Sequence, residues 1–281
     1  MKDLNRLFKP NSIAVIGGGT WCESVINQLK NIKFEGPIWP IHPKKKIVCG
    51  IKSFASVKDL PNPPDAAFIG VNRFRTIEIV NELSKLGVKA KGYASDASSF
   101  DSSIAMVDAV HKEFGSIDIL VNNAAINPVF GPIEDVDPAI FDKIMDVNVK
   151  APWALSNLVL PHMQEHKKGS IINIASVEAL TPGLGLGLYS TSKAAILMLT
   201  KNQAKEWGQH GIRANAICPG LIQTKFSAAL WTNEKLLNKV QKTIPSGRMG
   251  QPEEMIGIAS LLASDAGSYM TGGVYTADGG Y

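Results

Sequence analysis

The sequence predicts an α/β fold, a Rossmann-type doubly wound parallel sheet. Short apolar runs alternate with stretches of helical periodicity along most of the chain, a pattern typical of parallel strands joined by covering helices. The first apolar run ends in glycines and precedes a helical pattern. The composition, 45% hydrophobic and 19% charged over 281 residues, excludes a disordered, collagen-like or coiled-coil chain.

The elements follow from these patterns in chain order. The apolar runs predict strands over residues 12–17, 37–41, 65–71, 89–96, 118–122, 169–175, 212–218 and 273–277. Helical periodicity predicts helices over 21–32, 76–86, 97–114, 138–166, 189–208, 235–243 and 252–263. A break in the helix over 138–166 is expected near Pro152 or Pro161, and the Pro- and Lys-rich stretch 43–64 reads mostly as loop.

Charge is unevenly distributed along a chain whose net charge is +4. Residues 1–86 carry 13 Lys and Arg against 7 Asp and Glu, whereas residues 87–281 carry 16 against 18. The run 44–46 would attract a phosphate-bearing ligand, or form a solvated loop. Because the excess is small and lacks an aromatic platform, no nucleic-acid partner is expected.

Three further observations bear on location and class of protein. No apolar run is long enough to span a bilayer, so no membrane partner is expected. Residues 1–10 lack the features of a secretory or transit peptide, which favours a cytoplasmic protein. The cysteines, three in number and far apart, argue against a disulfide framework or a zinc ribbon.

The most informative residues are Ser176, Tyr189 and Lys193. Tyr189 and Lys193 are four residues apart in a predicted helix and so share one face. A nearby ammonium favours a phenolate, so we expect Lys193 to lower the pKa of Tyr189 and let the phenol exchange a proton with a substrate oxygen. Ser176 ends a predicted strand, at the edge where ligands of α/β proteins bind. Alone, such a Tyr–Lys pair is more often a surface contact.

Residues 87–281 resemble the larger part of a short-chain dehydrogenase/reductase. The matching elements are an NNAG-like turn at 122–125 with Ala125 in place of glycine, the segment 146–149, Ser176 with Tyr189-x-x-x-Lys193, Pro219-Gly220-x-x-x-Thr224, and the closing strand with Asp278-Gly279-Gly280. Taken singly, the asparagines also suit a turn, Asp96 a helix N-cap and Cys218 a buried apolar position.

The resemblance implies a role for each matching residue. Tyr189 would be the general acid and base, Ser176 would orient the carbonyl, and Asn148 would anchor a water in a proton relay. Lys193 would lower the pKa of the tyrosine and hold the nicotinamide ribose. The implied cofactor-binding residues in this part of the chain are Asp96 at the adenine, Asn122, Ala124, Tyr189, Lys193, Pro219, Gly220, and Thr224 at the carboxamide.

The implied reaction is hydride transfer between NAD or NADP and a small-molecule carbonyl or secondary alcohol. The cofactor carries the hydride, and the protein supplies position and proton transfer. The family also implies a homotetramer or dimer formed through the helices predicted over 138–166 and 189–208. Residues 226–241 resemble the substrate loop of the family, in which Leu230, Trp231 and 236–237 suit an apolar pocket wall or ordinary packing.

One pattern in this region suggests a metal but fits a different interpretation better. His162-Met163-Gln164-Glu165-His166 matches the H-x-x-E-H zinc pattern. It lies at the predicted end of a helix beside Lys167 and Lys168, where a solvated terminus is expected. No metal site is predicted.

Residues 1–86 depart from the family. In place of its TG-x-x-x-G-x-G loop the chain has Gly17, Gly18 and Gly19 in succession, which suit a phosphate-binding loop or a tight turn. Residues 7–86 resemble instead the CoA-binding domain of NDP-forming acyl-CoA synthetases, through 7–17, 37–44, 56–61 and 65–71. That resemblance makes Gly18, Gly19 and Lys44 candidates for contact with the CoA phosphates.

The two resemblances predict a CoA-binding-like segment over 1–86, in place of the usual N-terminus, and a catalytic portion over 87–281. Such a junction is compatible with a natural fusion, an engineered chimera or a joining artefact. Both families place a strand beside the first one, and we expect either that 118–122 takes this position rather than 65–71, or that the N-terminal segment forms a small lobe of its own.

The N-terminal departure also affects ligand choice. A basic end to the second strand, His42-Pro43-Lys44-Lys45, favours NADP over NAD, or the 3′-phosphate of CoA. The favoured function is an NAD(P)-dependent oxidoreductase. The alternative is a CoA- or nucleotide-binding module with a catalytically silent dehydrogenase portion.

Overall fold

The computed structural model describes residues 12–16, 20–31, 33–64, 66–69, 91–224, 226–227, 231, 237–238 and 241–281. The chain divides into two units, Met1–Ala94 and Ser95–Tyr281. Within the described residues, no helix is both long and apolar enough to cross a membrane.

Unit 1 contains a three-stranded parallel sheet. Strands β1 (Ile13–Ile16), β2 (Ile38–Ile41) and β5 (Ala66–Ile69) are arranged in the order β2-β1-β5, and helix α1 (Thr20–Asn31) follows β1. A two-stranded antiparallel hairpin of β3 (Ile47–Val48) and β4 (Ile51–Lys52) and a 3-10 turn at Val57–Asp59 interrupt the stretch predicted as loop.

The alternating side chains of β1 contribute to two apolar clusters. Ala14 and Ile16 pack with Ile41, Val57 and Leu60 on one face of the sheet. Val15 packs in a cluster with Cys22, Val25, Ile26 and Val48, which joins α1 and the β3–β4 hairpin to the sheet. The apolar run over 12–17 therefore forms the buried strand that it predicts.

The strand pairing in unit 1 shows that the first of the two arrangements predicted for the position beside β1 is wrong. β1 pairs with β2 along one edge and with β5 along the other, in register from Ile13 opposite Ala66 to Ile16 opposite Ile69. A strand has only two neighbours, so residues 118–122 do not take the position beside β1. The predicted helix over 76–86 lies outside the described residues.

Unit 2 contains a four-stranded parallel sheet in the order β6-β7-β8-β9. Its strands are β6 (Ile119–Asn122), β7 (Gly169–Ile174), β8 (Ile212–Pro219) and β9 (Val274–Ala277). The described α-helices of this unit are α2 (Phe100–Phe114), α3 (Pro138–Met145), α4 (Ala151–Glu165), α5 (Gly187–Trp207) and α6 (Ile256–Ala263). The predicted strand over 89–96 is not formed at 91–96, where the backbone is irregular; residues 89–90 lie outside the described ranges.

Helices cover both faces of this sheet. On one face, α2, α4 and α5 contribute Val107, Val159, Met163 and Ala204 to a cluster that includes Ile171 of β7. On the other face, Leu262 of α6 packs against Ile172 and Ile217. The helices on the two faces bury β7 and β8 nearly throughout, an arrangement that confirms the α/β fold class.

The helical stretch 138–166 changes geometry ahead of Pro152. A π-helical turn at Asp146–Lys150 joins α3 to α4, whereas Pro161 lies inside α4 without ending it. Proline lacks an N–H donor and crowds the preceding turn, so a local change of helical pitch near Pro152 is expected. The break predicted near Pro152 or Pro161 is thus found at the first of these.

Candidate active site

The predicted catalytic residues lie at the carboxyl edge of the sheet of unit 2. Asn122 is the last residue of β6, Ser176 follows β7 after one intervening residue, and Pro219 is the last residue of β8. In a parallel sheet these strand ends share one edge, which is where ligands of α/β proteins bind.

Ser176 is held in a defined orientation by the turn that follows β7. It is the N-cap of a 3-10 turn at Val177–Ala179, and its hydroxyl accepts a hydrogen bond of 3.2 Å from the backbone N–H of Glu178. The side chain is buried. Because this bond uses only an acceptor lone pair of the hydroxyl, its proton stays available for another acceptor.

Tyr189 and Lys193 occupy the first two turns of α5, as their spacing predicts. The Lys193 Nζ lies 5.8 Å from the centroid of the Tyr189 ring. Lys193 is only 3% exposed, and its ammonium donates a hydrogen bond of 2.7 Å to the carbonyl oxygen of Ile174 in β7. The helix thus presents the phenol beside the strand end that carries Ser176.

The pKa of Tyr189 differs from the expectation. Burial raises it from 10.0 to about 12, the Ser176 hydroxyl opposes this rise, and the negative charge of Glu178 adds to it. Lys193 does not reverse this rise in the pKa of Tyr189. Burial also lowers the pKa of Lys193 from 10.5 to about 8, so its ammonium loses its proton at a lower pH than the phenol does. In this structure Tyr189 is a phenol at neutral pH.

The side chain of Asn148 forms hydrogen bonds that the sequence did not indicate. It lies in the π-helical turn and is buried; its side-chain oxygen accepts from the N–H of Ile126 at 2.8 Å, and its Nδ2 donates to the Ile126 carbonyl and to the Ser192 hydroxyl. The Ser192 hydroxyl in turn donates to the carbonyl oxygen of Tyr189 at 2.7 Å. Both N–H groups of the side-chain amide are therefore used by protein partners, and its oxygen accepts one bond.

Asn122 begins a buried polar network beneath this edge. Its Nδ2 donates to Ser156 and to Asn173, and Asn173 donates to Thr200 and Gln203. The Oδ1 of Asn122 and the Nε2 of Gln203 are buried without a hydrogen-bond partner. A buried acceptor of this kind at a strand end is a ready contact for a donor group of a ligand or a water.

Three further residues of unit 2 that were predicted to bind the cofactor lie in different parts of the structure. Ala124 is exposed in the loop after β6. The N–H of Gly220 donates to Ala277, and a Cβ atom at Gly220 would lie 2.7 Å from the Cα of Asp278, so this position accepts only glycine without movement. The carbonyl oxygen of Thr224 accepts a hydrogen bond from the Nε1 of Trp231.

Asp96 is placed differently from its predicted position at a strand end. It lies in irregular backbone, where its carboxylate accepts from the N–H and hydroxyl of Ser98 at 3.0 and 2.7 Å. The N-cap of α2 is Ser99, not Asp96.

Unit 1 holds the other candidate residues. Lys44 lies in an exposed turn after β2, in which the backbone N–H groups of Lys44 and Lys45 both donate to Nδ1 of His42, at 3.0 and 2.8 Å. Lys45 forms an ion pair with Glu23 at 2.8 Å. Gly17, Gly18 and Gly19 lie outside the described residues.

A shallow depression beside Tyr189 was not predicted from the sequence. It is lined by the stretch over residues 127–136 and by residues 185–189 at the start of α5, and the N–H of Gly131 joins the two by a hydrogen bond to the carbonyl oxygen of Gly185. The sequence signal that could have indicated it is the turn-forming glycine and proline residues after β6 and β7. Of the residues predicted for the pocket wall, Trp231 contacts Thr224, whereas Leu230 and Leu236 lie outside the described ranges. The ring centroid of Phe226 lies 5.9 Å from that of Tyr189.

The H-x-x-E-H segment forms other contacts. The ring of His162 stacks on that of His111 in α2, with centroids 4.0 Å apart, and Nδ1 of His166 bonds to the carbonyl oxygen of His162. Over the described ranges, no group of three or more His, Cys, Asp or Glu side chains has the arrangement of a metal site.

Family comparisons match two parts of the sequence. The family described as Enoyl-(Acyl carrier protein) reductase matches residues 66–281. A CoA binding domain family matches residues 11–97, so the two matches overlap over 66–97.

Individual relatives extend this result. The chain is 45% identical over 166 residues to dehydrogenase/reductase SDR family member 4 of Oryctolagus cuniculus, a match covering 59% of this chain and 64% of the rabbit protein. It is 38% identical over 203 residues to the Homo sapiens protein of that name, covering 72% and 73%. A gluconate 5-dehydrogenase from Burkholderia cenocepacia, solved with NADP and tartrate, is 26% identical with a TM-score of 0.71, covering 96% of this chain and 94% of that one.

Proposed function

This chain belongs to the short-chain dehydrogenase/reductase family and catalyses NAD(P)-dependent hydride transfer, and from that premise we propose that it interconverts a small-molecule carbonyl and a secondary alcohol with Tyr189 as general acid and base. The observation that carries the proposal is the meeting of Ser176, Tyr189 and Lys193 at one edge of the unit 2 sheet. A shallow depression lined by residues 127–136 and 185–189 lies beside Tyr189.

Tyr189 acts first as a proton donor. Because burial raises its pKa to about 12, the phenol is protonated at neutral pH. As the carbonyl carbon gains a hydride, its oxygen becomes strongly basic and takes the proton from the Tyr189 hydroxyl. In the reverse direction the same oxygen atom of Tyr189 accepts the proton of the alcohol, which favours oxidation at alkaline pH.

Ser176 orients the substrate oxygen. The backbone bond from Glu178 fixes the hydroxyl oxygen without using its proton, so the hydroxyl can donate to the substrate oxygen. A second donor at the carbonyl oxygen stabilises the negative charge that develops there during reduction. Asn148 supports this arrangement through Ile126 and Ser192, and the predicted proton relay would use its main-chain carbonyl.

The residues of unit 2 fit the nicotinamide half of NAD(P). Lys193 has three donor hydrogens, of which the Ile174 carbonyl takes one, so two remain to donate to acceptors such as ribose hydroxyls. The orphaned Oδ1 of Asn122 offers a buried acceptor at the same edge. Bound NAD(P)H supplies the hydride. The cofactor contacts proposed in unit 2 from the family pattern are Asp96, Asn122, Ala124, Tyr189, Lys193, Pro219, Gly220 and Thr224. Those proposed in unit 1, from the glycine run and the CoA-binding resemblance, are Gly17, Gly18, Gly19 and Lys44.

Replacement of Tyr189 by Phe tests this assignment. The variant keeps the ring and removes the proton, so we expect NADPH-dependent ketone reduction to fall at least about a hundredfold, with NADPH binding and the melting temperature unchanged. Tyr269→Phe is the matched control, because Tyr269 is fully exposed and its substitution leaves activity intact. Retention of more than a few per cent of activity by Tyr189→Phe contradicts the proposal.

A second candidate function is favoured by the CoA-binding match over residues 11–97. In that case unit 1 binds CoA or another nucleotide through the turn at Lys44 and the stretch 17–19, and residues 87–281 are silent. Under both candidates, residues 1–86 form the nucleotide-binding segment and residues 87–281 the dehydrogenase portion. A thermal shift with CoA but none with NADPH or NADH favours this second candidate.

Three finer features complete the proposal. The lysines after β2 favour NADP over NAD. Exposed Trp153 on α4 and Met198 on α5 favour a homodimer or tetramer formed through these helices. None of the three cysteines forms a disulfide, which favours a reducing compartment such as the cytoplasm.

A further inference from the structure

Glu178 is a charged residue that neither the sequence motifs nor the proposed mechanism use. It lies in the 3-10 turn two residues after Ser176, and it is partly buried. Its carboxylate accepts two hydrogen bonds through Oε2, from the backbone N–H of Gly183 at 2.6 Å and from the hydroxyl of Ser190 at 3.1 Å. Ser190 is itself buried and directly follows Tyr189 in α5.

These bonds connect the two parts of the site. The backbone N–H of Glu178 donates to the Ser176 hydroxyl, while its carboxylate holds the first turn of α5 through Ser190. One residue therefore contacts the oxygen of Ser176 and the neighbour of Tyr189. The bond to Gly183 closes the intervening loop, and a Cβ atom at Gly183 would lie 3.0 Å from the Oε1 of Glu178, so the small residue permits this close approach.

Among the residues that the structure describes, no Lys or Arg forms an ion pair with the Glu178 carboxylate. The other titratable groups that act on the site are Lys193 on α5, Cys218 on β8 and Asp278 after β9. Lys193 and Cys218 act on each other, whereas Glu178 acts on the Tyr189 phenol and disfavours its anion.

We propose that Glu178 is a positioning residue of this enzyme, which fixes Ser176 relative to Tyr189 through its backbone N–H and its two carboxylate hydrogen bonds and places a negative charge at this edge of the site. This inference rests on the proposed role of Tyr189. The negative charge of Glu178 disfavours the Tyr189 phenolate, so it moves the alkaline rise of alcohol oxidation to higher pH.

Two variants separate the charge from the hydrogen bonds. Glu178→Gln removes the charge and keeps an oxygen that can accept from Gly183 and Ser190. Ser190→Ala keeps the charge and removes one bond. We expect Glu178→Gln to move the alkaline rise of alcohol oxidation by about half a pH unit or more toward neutrality, since a negative charge near the phenol is lost.

Ser190→Ala serves as the matched variant for positioning. It is expected to lower kcat for ketone reduction by a few-fold while leaving the pH profile in place. The amide hydrogen exchange of Gly183 gives a readout that needs no activity: it stays slow in the wild type and in Glu178→Gln, and becomes fast in Glu178→Ala, which loses both bonds.

The outcomes distinguish this inference from the proposed function. A pH profile that Glu178→Gln leaves unmoved in an active enzyme overturns the role of the charge. A Gly183 amide that exchanges as fast in the wild type as in Glu178→Ala overturns the positioning role. A wild-type protein that reduces no ketone with either NADPH or NADH refutes the proposed function and this inference with it.

Discussion

Substitution of Lys193 by Met separates the stability of this fold from its chemistry. Lys193 is 3% exposed, and burial lowers the pKa of its ammonium from 10.5 to about 8. The folded protein therefore holds this proton less tightly than the unfolded chain does. Methionine has a similar length and no charge, so the substitution removes the buried charge and keeps most of the packing.

The pKa values give the magnitude. A pKa lowered from 10.5 to about 8 corresponds to about 3 kcal/mol of destabilisation when the group is charged. Loss of the bond to the Ile174 carbonyl offsets about 1–3 kcal/mol of this gain. At pH 7 we therefore expect Lys193→Met to be as stable as the wild type, or more stable by up to about 2 kcal/mol, and to lose activity.

The pH dependence is the sharper readout. Between the two pKa values the unfolded chain binds more protons than the folded one, so the stability of the wild type rises with pH through this window. Relative to Lys193→Met, the wild type gains about 2 kcal/mol between pH 7 and about pH 9.5.

Urea unfolding followed by circular dichroism at these two pH values measures the difference. Lys201→Met is the matched control, because Lys201 is exposed on the same helix. Its stability relative to the wild type is expected to be independent of pH. A difference between Lys193→Met and the wild type that is the same at both pH values refutes the argument from burial.

Two further substitutions test the supports of the site. Asn148→Ala leaves the N–H and C=O of Ile126 unpaired, so urea unfolding should give a loss of about 2 kcal/mol that Asn157→Ala, with its exposed side chain, does not share. Gly220→Ala places a Cβ atom 2.7 Å from the Cα of Asp278 and should lower stability by about 1–3 kcal/mol, whereas Gly208→Ala, with nothing within 4 Å, should not. Equal stability within either pair contradicts the corresponding contact.

The parts of the site that local sequence determines were predictable. The apolar run before Ser176 forms a buried strand, and the spacing of Tyr189 and Lys193 places both on one face of α5. These features depend on periodicity within one element, which the sequence displays directly.

The parts that depend on tertiary packing were not predictable from the same patterns. The pKa of Tyr189 rises because the surrounding structure buries it, and burial outweighs the hydrogen bond of the Ser176 hydroxyl, which lowers the pKa. The pairing of β5 with β1 depends on a choice between two apolar strands that both suit the position. The role of Glu178 depends on Gly183 and Ser190, which lie 5 and 12 residues away from it in the chain.

Isothermal titration of the purified protein with NADPH, NADH and CoA in turn is the most direct test of the central claim, that this chain binds a nicotinamide dinucleotide at the Tyr189–Lys193 edge. NADPH or NADH is expected to bind with a Kd on the order of micromolar, and Lys193→Met is expected to weaken that binding. Heat from CoA alone, with none from either nicotinamide nucleotide, would contradict the claim.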